Sequence, residues 1–191
     1  MRRLDNYQIE SNSTIRVEKN STITQSFQSH KGNLAGVRLI GFNPNLGGSE
    51  NFELTIRDEN NQPVRTLSLS ETNLGWGSTI RFDFAPIPDS RGKTYVISVS
   101  APESTTAQLD LAYTSENKYA EGAAQKNNEV LSGDLVFETY YQTSGATIII
   151  DPLINAGIRF TQDPVFLFFY CISLAGLIAF IIKRGRSIKK K

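Results

Sequence analysis

Three aromatic residues are the candidates for ligand binding. Trp76 lies between Gly75 and Gly77, which favours a loop that exposes the indole ring. Tyr140 and Tyr141 are adjacent, so one of them faces outward if both lie on a regular strand. Exposed aromatic rings can stack on the apolar C–H faces of sugars. The sequence therefore predicts sugar binding at Trp76, Tyr140 and Tyr141. The alternatives are a core position for Trp76 and plain strand propensity for the tyrosines.

Groups that could carry out catalysis are sparse. The one histidine, His30, lies in a Ser-His-Lys-Gly turn, where a solvated side chain is the simplest interpretation. The sequence contains no G-x-S-x-G, H-E-x-x-H, P-loop or C-x-x-C motif. Glycoside hydrolysis needs two carboxyl groups roughly 5–9.5 Å apart. The candidates by strand or turn position are Asp83, Asp89, Asp110 and Glu138. Outward strand residues explain them more simply, so we predict no enzymatic activity from the residues present.

No metal or cofactor is predicted. The D-x-[DN]-x-[DN]-G pattern of calcium loops does not occur. The only cysteine, Cys171, lies in a long apolar run, where a small apolar filler is its simplest role. The polar part of the chain therefore contains no disulfide.

The signal that dominates the first three quarters of the chain is that of the β-strand. Short runs of β-branched and aromatic residues alternate with turn-forming clusters. One clear run predicts Phe52, Leu54 and Ile56 to point inward. Eight or nine such runs, with no amphipathic helix between them, predict an all-β fold, a jelly-roll-like antiparallel β-sandwich. We place it at residues 14–142, after an N-terminal segment of residues 1–13.

An uncharged run near the C-terminus predicts a membrane anchor. Residues 165–182 read VFLFFYCISLAGLIAFII. As a helix this run would measure roughly 27 Å, close to the roughly 30 Å of bilayer hydrocarbon. We therefore predict one transmembrane helix at residues 164–182, rather than a buried core helix. The tail, residues 183–191, contains six basic and no acidic residues, so the positive-inside rule places it in the cytoplasm and the sandwich outside.

Two further segments bear on this arrangement. Residues 143–163 form the predicted juxtamembrane linker, in which Asp151-Pro152 is typical of a helix start and could begin a short interfacial helix. The first ten residues contain no apolar signal-peptide core. We therefore expect an upstream signal or membrane helix in a longer protein. The alternative is a tail anchor with the sandwich inside the cell.

The charge distribution argues against nucleic acid as a partner. The chain has 20 basic and 19 acidic residues. Six of the basic residues lie in the tail, which leaves 14 basic and 19 acidic residues before it. Nucleic-acid binding requires a basic face on the domain itself. The asymmetry agrees instead with a domain on the far side of the membrane from its basic anchor, and the lipid bilayer is the predicted partner.

Several stretches resemble those of a known class of domains. Residues 82–99 resemble a strand–turn–strand element of jelly-roll ectodomains in bacterial envelope proteins. The other similar pieces are residues 23–28, 34–37, 75–76 and 133–141. These ectodomains resemble carbohydrate-binding modules and adjoin transmembrane helices, often in polytopic, glycosyltransferase-like membrane proteins. The resemblance covers roughly residues 20–142. It implies a bacterial source and a missing upstream part, and it transfers no ligand residue, because fold analogy does not assign activity.

These observations predict a membrane-anchored, extracytoplasmic β-sandwich that acts as a binding or spacer module in the cell envelope, with envelope glycan as the candidate ligand. The alternative is an accessory ectodomain of a polytopic membrane glycosyltransferase-like protein, whose chemistry lies in other sequence. A hydrolase with dispersed carboxylates is the third hypothesis.

Overall fold

The structure is a computed structural model that describes residues 1–46, 48–103, 107–143, 165 and 168–173. The chain divides into two compact units, Met1–Thr143 and Ser144–Lys191. The first unit is an all-β antiparallel sandwich of two sheets, which confirms the antiparallel β-sandwich of the prediction.

The described part of the first unit contains thirteen strands and one short 3₁₀ helix. In chain order they are β1 (Arg2–Gln8), β2 (Ser13–Glu18), β3 (Thr22–Gln28), β4 (Leu34–Phe42), β5 (Asn51–Arg57), β6 (Pro63–Ser70), the 3₁₀ helix (Glu71–Asn73), β7 (Ser78–Ile87), β8 (Thr94–Ser100), β9 (Gln108–Thr114), β10 (Ala124–Lys126), β11 (Glu129–Val130), β12 (Asp134–Leu135) and β13 (Phe137–Gln142). The predicted number, eight or nine, is too low. Strands β10, β11 and β12 have only two or three residues each, too few to show an alternation.

The first sheet is built around β4. This strand pairs with β13 on one side and β7 on the other, and β1 pairs with β13 at the edge. At Gly41 and Phe42, β4 also pairs with β9, which in turn carries β2 and β12. The second sheet has the strand order β11-β10-β3-β8-β5-β6.

The core lies between the two sheets, and alternation along each strand fills it. Phe52, Leu54 and Ile56 of β5 are buried, as predicted. Phe27 of the second sheet packs on Phe137 of the first, with their ring centroids 6.1 Å apart. Because both sheets contribute large apolar side chains to one layer, their outer faces are left for polar residues.

Strand β1 reverses the usual burial pattern of a sandwich strand. Its buried side chains are the polar Asn6 and Gln8, whereas Leu4 and Tyr7 are exposed. The sandwich therefore includes a strand within residues 1–13, the segment that the sequence places before it. The apolar–polar pattern does not reveal β1, because its apolar side chains face solvent.

In the second unit, Val165 and residues 168–173 are helical. The Ser173 hydroxyl donates to the Phe169 carbonyl at 2.9 Å. Within the residues that the structure describes, no helix has both the length and the apolar character needed to cross a membrane. Residues 144–163 of the predicted linker, most of the predicted transmembrane helix and the whole tail lie outside the described residues, so the membrane anchor stays a prediction.

Candidate functional site

Trp76 is 71% exposed, in the loop between the 3₁₀ helix and β7. The Gly75 N–H donates to Ser78 Oγ at 2.8 Å, and the Gly75 carbonyl accepts from the Asn43 N–H at 3.1 Å. These bonds fix the loop backbone, while the indole ring of Trp76 projects outward. Trp76 therefore does not fill the core, and its ring is open to solvent.

Tyr140 and Tyr141 are separated by an irregularity in the pairing of β13 with β4, and both are half-buried. The Tyr140 hydroxyl donates to Glu138, and the Arg81 guanidinium lies 5.9 Å from the Tyr140 ring centroid. Burial, followed by this hydrogen bond, raises the pKa of Tyr140. Tyr140 thus belongs to a network of charged side chains on the outer face of the first sheet.

The three predicted ligand-binding residues do not form one site. In the first sheet Ser78 lies opposite Gly41, and Tyr140 lies opposite Gly36. Five residues along β4 correspond to about 17 Å. The exposed indole of Trp76 and the Tyr140 ring therefore lie too far apart to contact one sugar ring.

The candidate catalytic carboxylates are mostly engaged in ion pairs. Asp110 forms a bidentate salt bridge with Arg16, with N–O distances of 2.7 and 2.9 Å. Glu138 pairs with Arg38. Asp83 pairs with Arg2 and Arg81, at 3.0 and 2.9 Å. His30 lies in an exposed turn, where its Nε2 is 2.7 Å from a Glu121 carboxylate oxygen.

A groove crosses the outer face of the second sheet. It consists of two adjoining depressions of about 530 Å³ and about 370 Å³ that share Thr24, Asn61 and Asn128. Hydroxyl and amide side chains dominate its lining, and we call it the hydroxyl groove: Thr22, Thr24, Ser98, Asn61, Asn127 and Asn128. On its floor Thr24 lies opposite Ser98 in adjacent strands.

Turns form the two walls of the hydroxyl groove. Asn61, in the β5–β6 turn, and Asn127 and Asn128, between β10 and β11, have φ values of 60°, 51° and 70°. Asparagine tolerates this left-handed region better than most residues. Asp58 Oδ1 accepts the Asn60 and Gln62 N–H groups at 2.9 Å each, which orders the first wall.

The second wall, the turn between β10 and β11, is held to the sheets by hydrogen bonds. Asn127 and Thr22 form two hydrogen bonds. The Asn127 N–H donates to the Thr22 carbonyl at 2.9 Å, and Asn127 Oδ1 accepts from the Thr22 N–H at 2.8 Å. The buried Asp134 accepts the Lys118 and Tyr119 N–H groups at 2.8 and 2.9 Å, which holds the loop that leads into β10. Gln25 Nε2 donates to the same carboxylate at 3.3 Å. The groove is therefore shaped before any ligand binds.

The chemistry of the hydroxyl groove suits a polyhydroxylated ligand. Neutral hydroxyls and amides both donate and accept hydrogen bonds, as sugar hydroxyls do. The charged groups in the lining are Arg57, Asp58 and Glu59. Sequence reasoning misses this groove, because isolated polar residues at outward strand positions and in turns are common in every antiparallel sheet.

Comparisons with known proteins leave the family open. No protein-family model matches this chain, and no curated protein matches it. Among solved structures, it is similar to the clostridial cysteine protease Cwp84 after propeptide cleavage, with a TM-score of 0.48 and 16% sequence identity. That match covers 75% of this chain and 40% of the protease chain, so this chain spans less than half the length of the protein that it matches.

Proposed function

We propose that this protein is a membrane-anchored, extracytoplasmic β-sandwich of the cell envelope that binds glycan in the hydroxyl groove. The observation that carries the proposal is the lining of that groove. Thr24 and Ser98 form the floor, and the amides of Asn61 and Asn128 line it from opposite walls. The fixed turns reduce the ordering cost of binding.

The location outside the cell is supported by the sequence. The 18-residue uncharged run, the six basic residues after it and the acidic balance before it favour a C-terminal anchor with a cytoplasmic tail. Phe168, Phe169 and Ile172, within this run, are helical and more than half exposed, as suits side chains that face lipid. A jelly-roll relation to carbohydrate-binding-module-like ectodomains is part of the same proposal.

A glycan array probed with the full chain in detergent tests this function. We expect binding to one class of polysaccharide. Asn61→Gly and Asn128→Gly should each weaken binding about tenfold, because glycine keeps the left-handed backbone and removes only the amide. Asn33→Gly is the matched control, since Asn33 also has a positive φ, of 65°, but does not line the groove.

Two results would contradict the proposal. One is the absence of binding to any glycan by the folded chain. The other is an equal loss of binding in the Asn33→Gly control, which would show that the effect is general. If Trp76→Ala alone abolished binding, the ligand would lie at the Trp76 loop and not in the hydroxyl groove.

A further inference from the structure

Two arginines on the outer face of the first sheet converge on one carboxylate oxygen. Arg2 Nη1 lies 3.0 Å and Arg81 Nε lies 2.9 Å from Asp83 Oδ2. Arg2 belongs to β1 and Arg81 to β7, and strands β13 and β4 separate them. The two guanidinium nitrogens are therefore within about 6 Å of each other, a spacing that one anionic group can bridge.

A glycine makes this convergence feasible. Leu4, Tyr140, Gly36 and Asp83 lie opposite one another in four adjacent strands, β1, β13, β4 and β7. A Cβ at Gly36 would lie 2.9 Å from Asp83 Oδ1. The Asp83 carboxylate therefore lies over the bare backbone of Gly36, where it reaches the arginine on the far strand.

The arginine pair has spare hydrogen-bonding capacity and spare charge. Each guanidinium carries five N–H donors, and each contributes one nitrogen to the Asp83 contact. The Arg2 and Arg81 side chains are 33% and 56% exposed, so their remaining N–H groups are open to a ligand. Two arginines against one aspartate leave a net positive charge.

An aromatic ring lies beside the two arginines. The Tyr140 ring centroid is 5.9 Å from the Arg81 guanidinium carbon, and Leu4, next to Tyr140 in the sheet, is 46% exposed. Arg38 pairs with Glu138 in the same sheet, and this pair is balanced and adds no net charge. An apolar ring face next to two arginine side chains matches a sugar ring that carries an anionic substituent.

We propose that Arg2, Arg81 and Tyr140 form a second binding site, the Arg2–Arg81 site, for an acidic sugar residue. The arginines bind its carboxylate or phosphate, Tyr140 packs on its ring, and Asp83 positions both arginines. The site lies on the first sheet and the hydroxyl groove on the second, so it does not depend on the groove.

The test is a titration of the ¹⁵N-labelled full chain in detergent, monitored through its arginine Nε–H signals. The probes are D-glucuronate, D-glucose 6-phosphate and uncharged D-glucose. We expect one or both acidic sugars to shift the Arg2 and Arg81 signals, with a Kd at least tenfold lower than that of glucose. Whichever acid binds more tightly identifies the anionic group. Added salt should weaken binding, because the attraction is electrostatic.

Variants separate this site from general surface charge. Arg2→Gln and Arg81→Gln should each raise the Kd about tenfold. Arg16→Gln, which removes an arginine from the exposed Arg16–Asp110 pair of the same sheet, should leave it unchanged. The proposal is overturned if neither acidic sugar binds the wild-type chain, if glucose binds equally well, or if Arg16→Gln weakens binding as much as the site variants. The first two results need no variant, so a folding defect does not obscure them.

Discussion

At the scale of the residue, Tyr119 joins three segments of the first unit. Its hydroxyl accepts from Asn6 Nδ2 at 2.6 Å and from the Gln28 N–H at 3.2 Å, and it donates to Glu121 at 3.4 Å. The side chain is 6% exposed. Burial is the main reason that its pKa rises to about 12, while the hydrogen bonds from Gln28 and Asn6 oppose the rise.

This raised pKa predicts a loss of stability in alkali. The folded pKa lies above the unfolded value near 10, so the contribution is complete below pH 10 and is lost as the pH rises from about 10 to about 12. The loss is about 2 kcal/mol. Tyr119→Phe cannot ionise, so the stability difference between wild type and this variant should shrink by that amount. Urea unfolding of both proteins at pH 9 and pH 11.5 measures it.

Tyr7→Phe serves as the control for this experiment, because it removes an exposed tyrosine hydroxyl from the same unit. A difference between wild type and Tyr119→Phe that stays constant with pH would contradict the prediction.

Single residues also mark the limit of what the sequence predicts. The exposed loop around Trp76 is predictable, because the flanking glycines Gly75 and Gly77 are its immediate neighbours in the sequence. Arg2, Arg81 and Asp83 meet only through the strand order of the first sheet, and Asn61 and Asn128 face each other only across the second. Sheet order arises from long-range pairing, which no sequence window contains.

At the scale of the element, prediction succeeded where a strand buries one apolar face. Ile80, Phe82 and Phe84 of β7 share one side and are buried, as the alternation predicts. The alternation does not predict β1, which buries polar side chains, or the strands of two or three residues. Strand β1 is held partly by hydrogen bonds of its polar side chain Asn6. The shortest strands do reach the core, through Ala124 and Leu135, but they are too short to show an apolar period.

The unusual composition of β1 predicts low local stability. This edge strand buries Asn6 and Gln8 but no apolar side chain, whereas β6, also an edge strand, packs Val64 and Leu69 against the core. Since buried apolar area supplies most of the free energy of docking, β1 should open at a free energy at least about 2 kcal/mol below that of β6. Native-state hydrogen exchange measures both strands in one sample, and equal protection would contradict this account.

At the scale of the whole molecule, the first unit brings its first and last residues together. The Thr143 N–H donates to the Met1 carbonyl at 2.9 Å, and the Met1 amine donates to the Thr143 carbonyl at 3.3 Å. The hydroxyl groove and the Arg2–Arg81 site lie on the outer faces of opposite sheets. Because they share no residue, we expect a ligand at one of the two proposed sites to leave the other open.

Membrane attachment is the prediction that concerns the whole chain. We expect the full chain to remain with membranes after alkaline carbonate extraction and to dissolve only in detergent. The reason is that the 18 uncharged residues 165–182 match the thickness of bilayer hydrocarbon.

A lysine near the centre of such a helix costs about 2.5–3.5 kcal/mol, so Ile172→Lys combined with Leu174→Lys should release a large fraction of the protein. Leu46→Lys, at an exposed apolar residue of the sandwich, should release none. Full extraction of the wild-type chain by carbonate would refute the anchor, and with it the proposed location outside the cell, while leaving both binding sites to be judged on their own titrations.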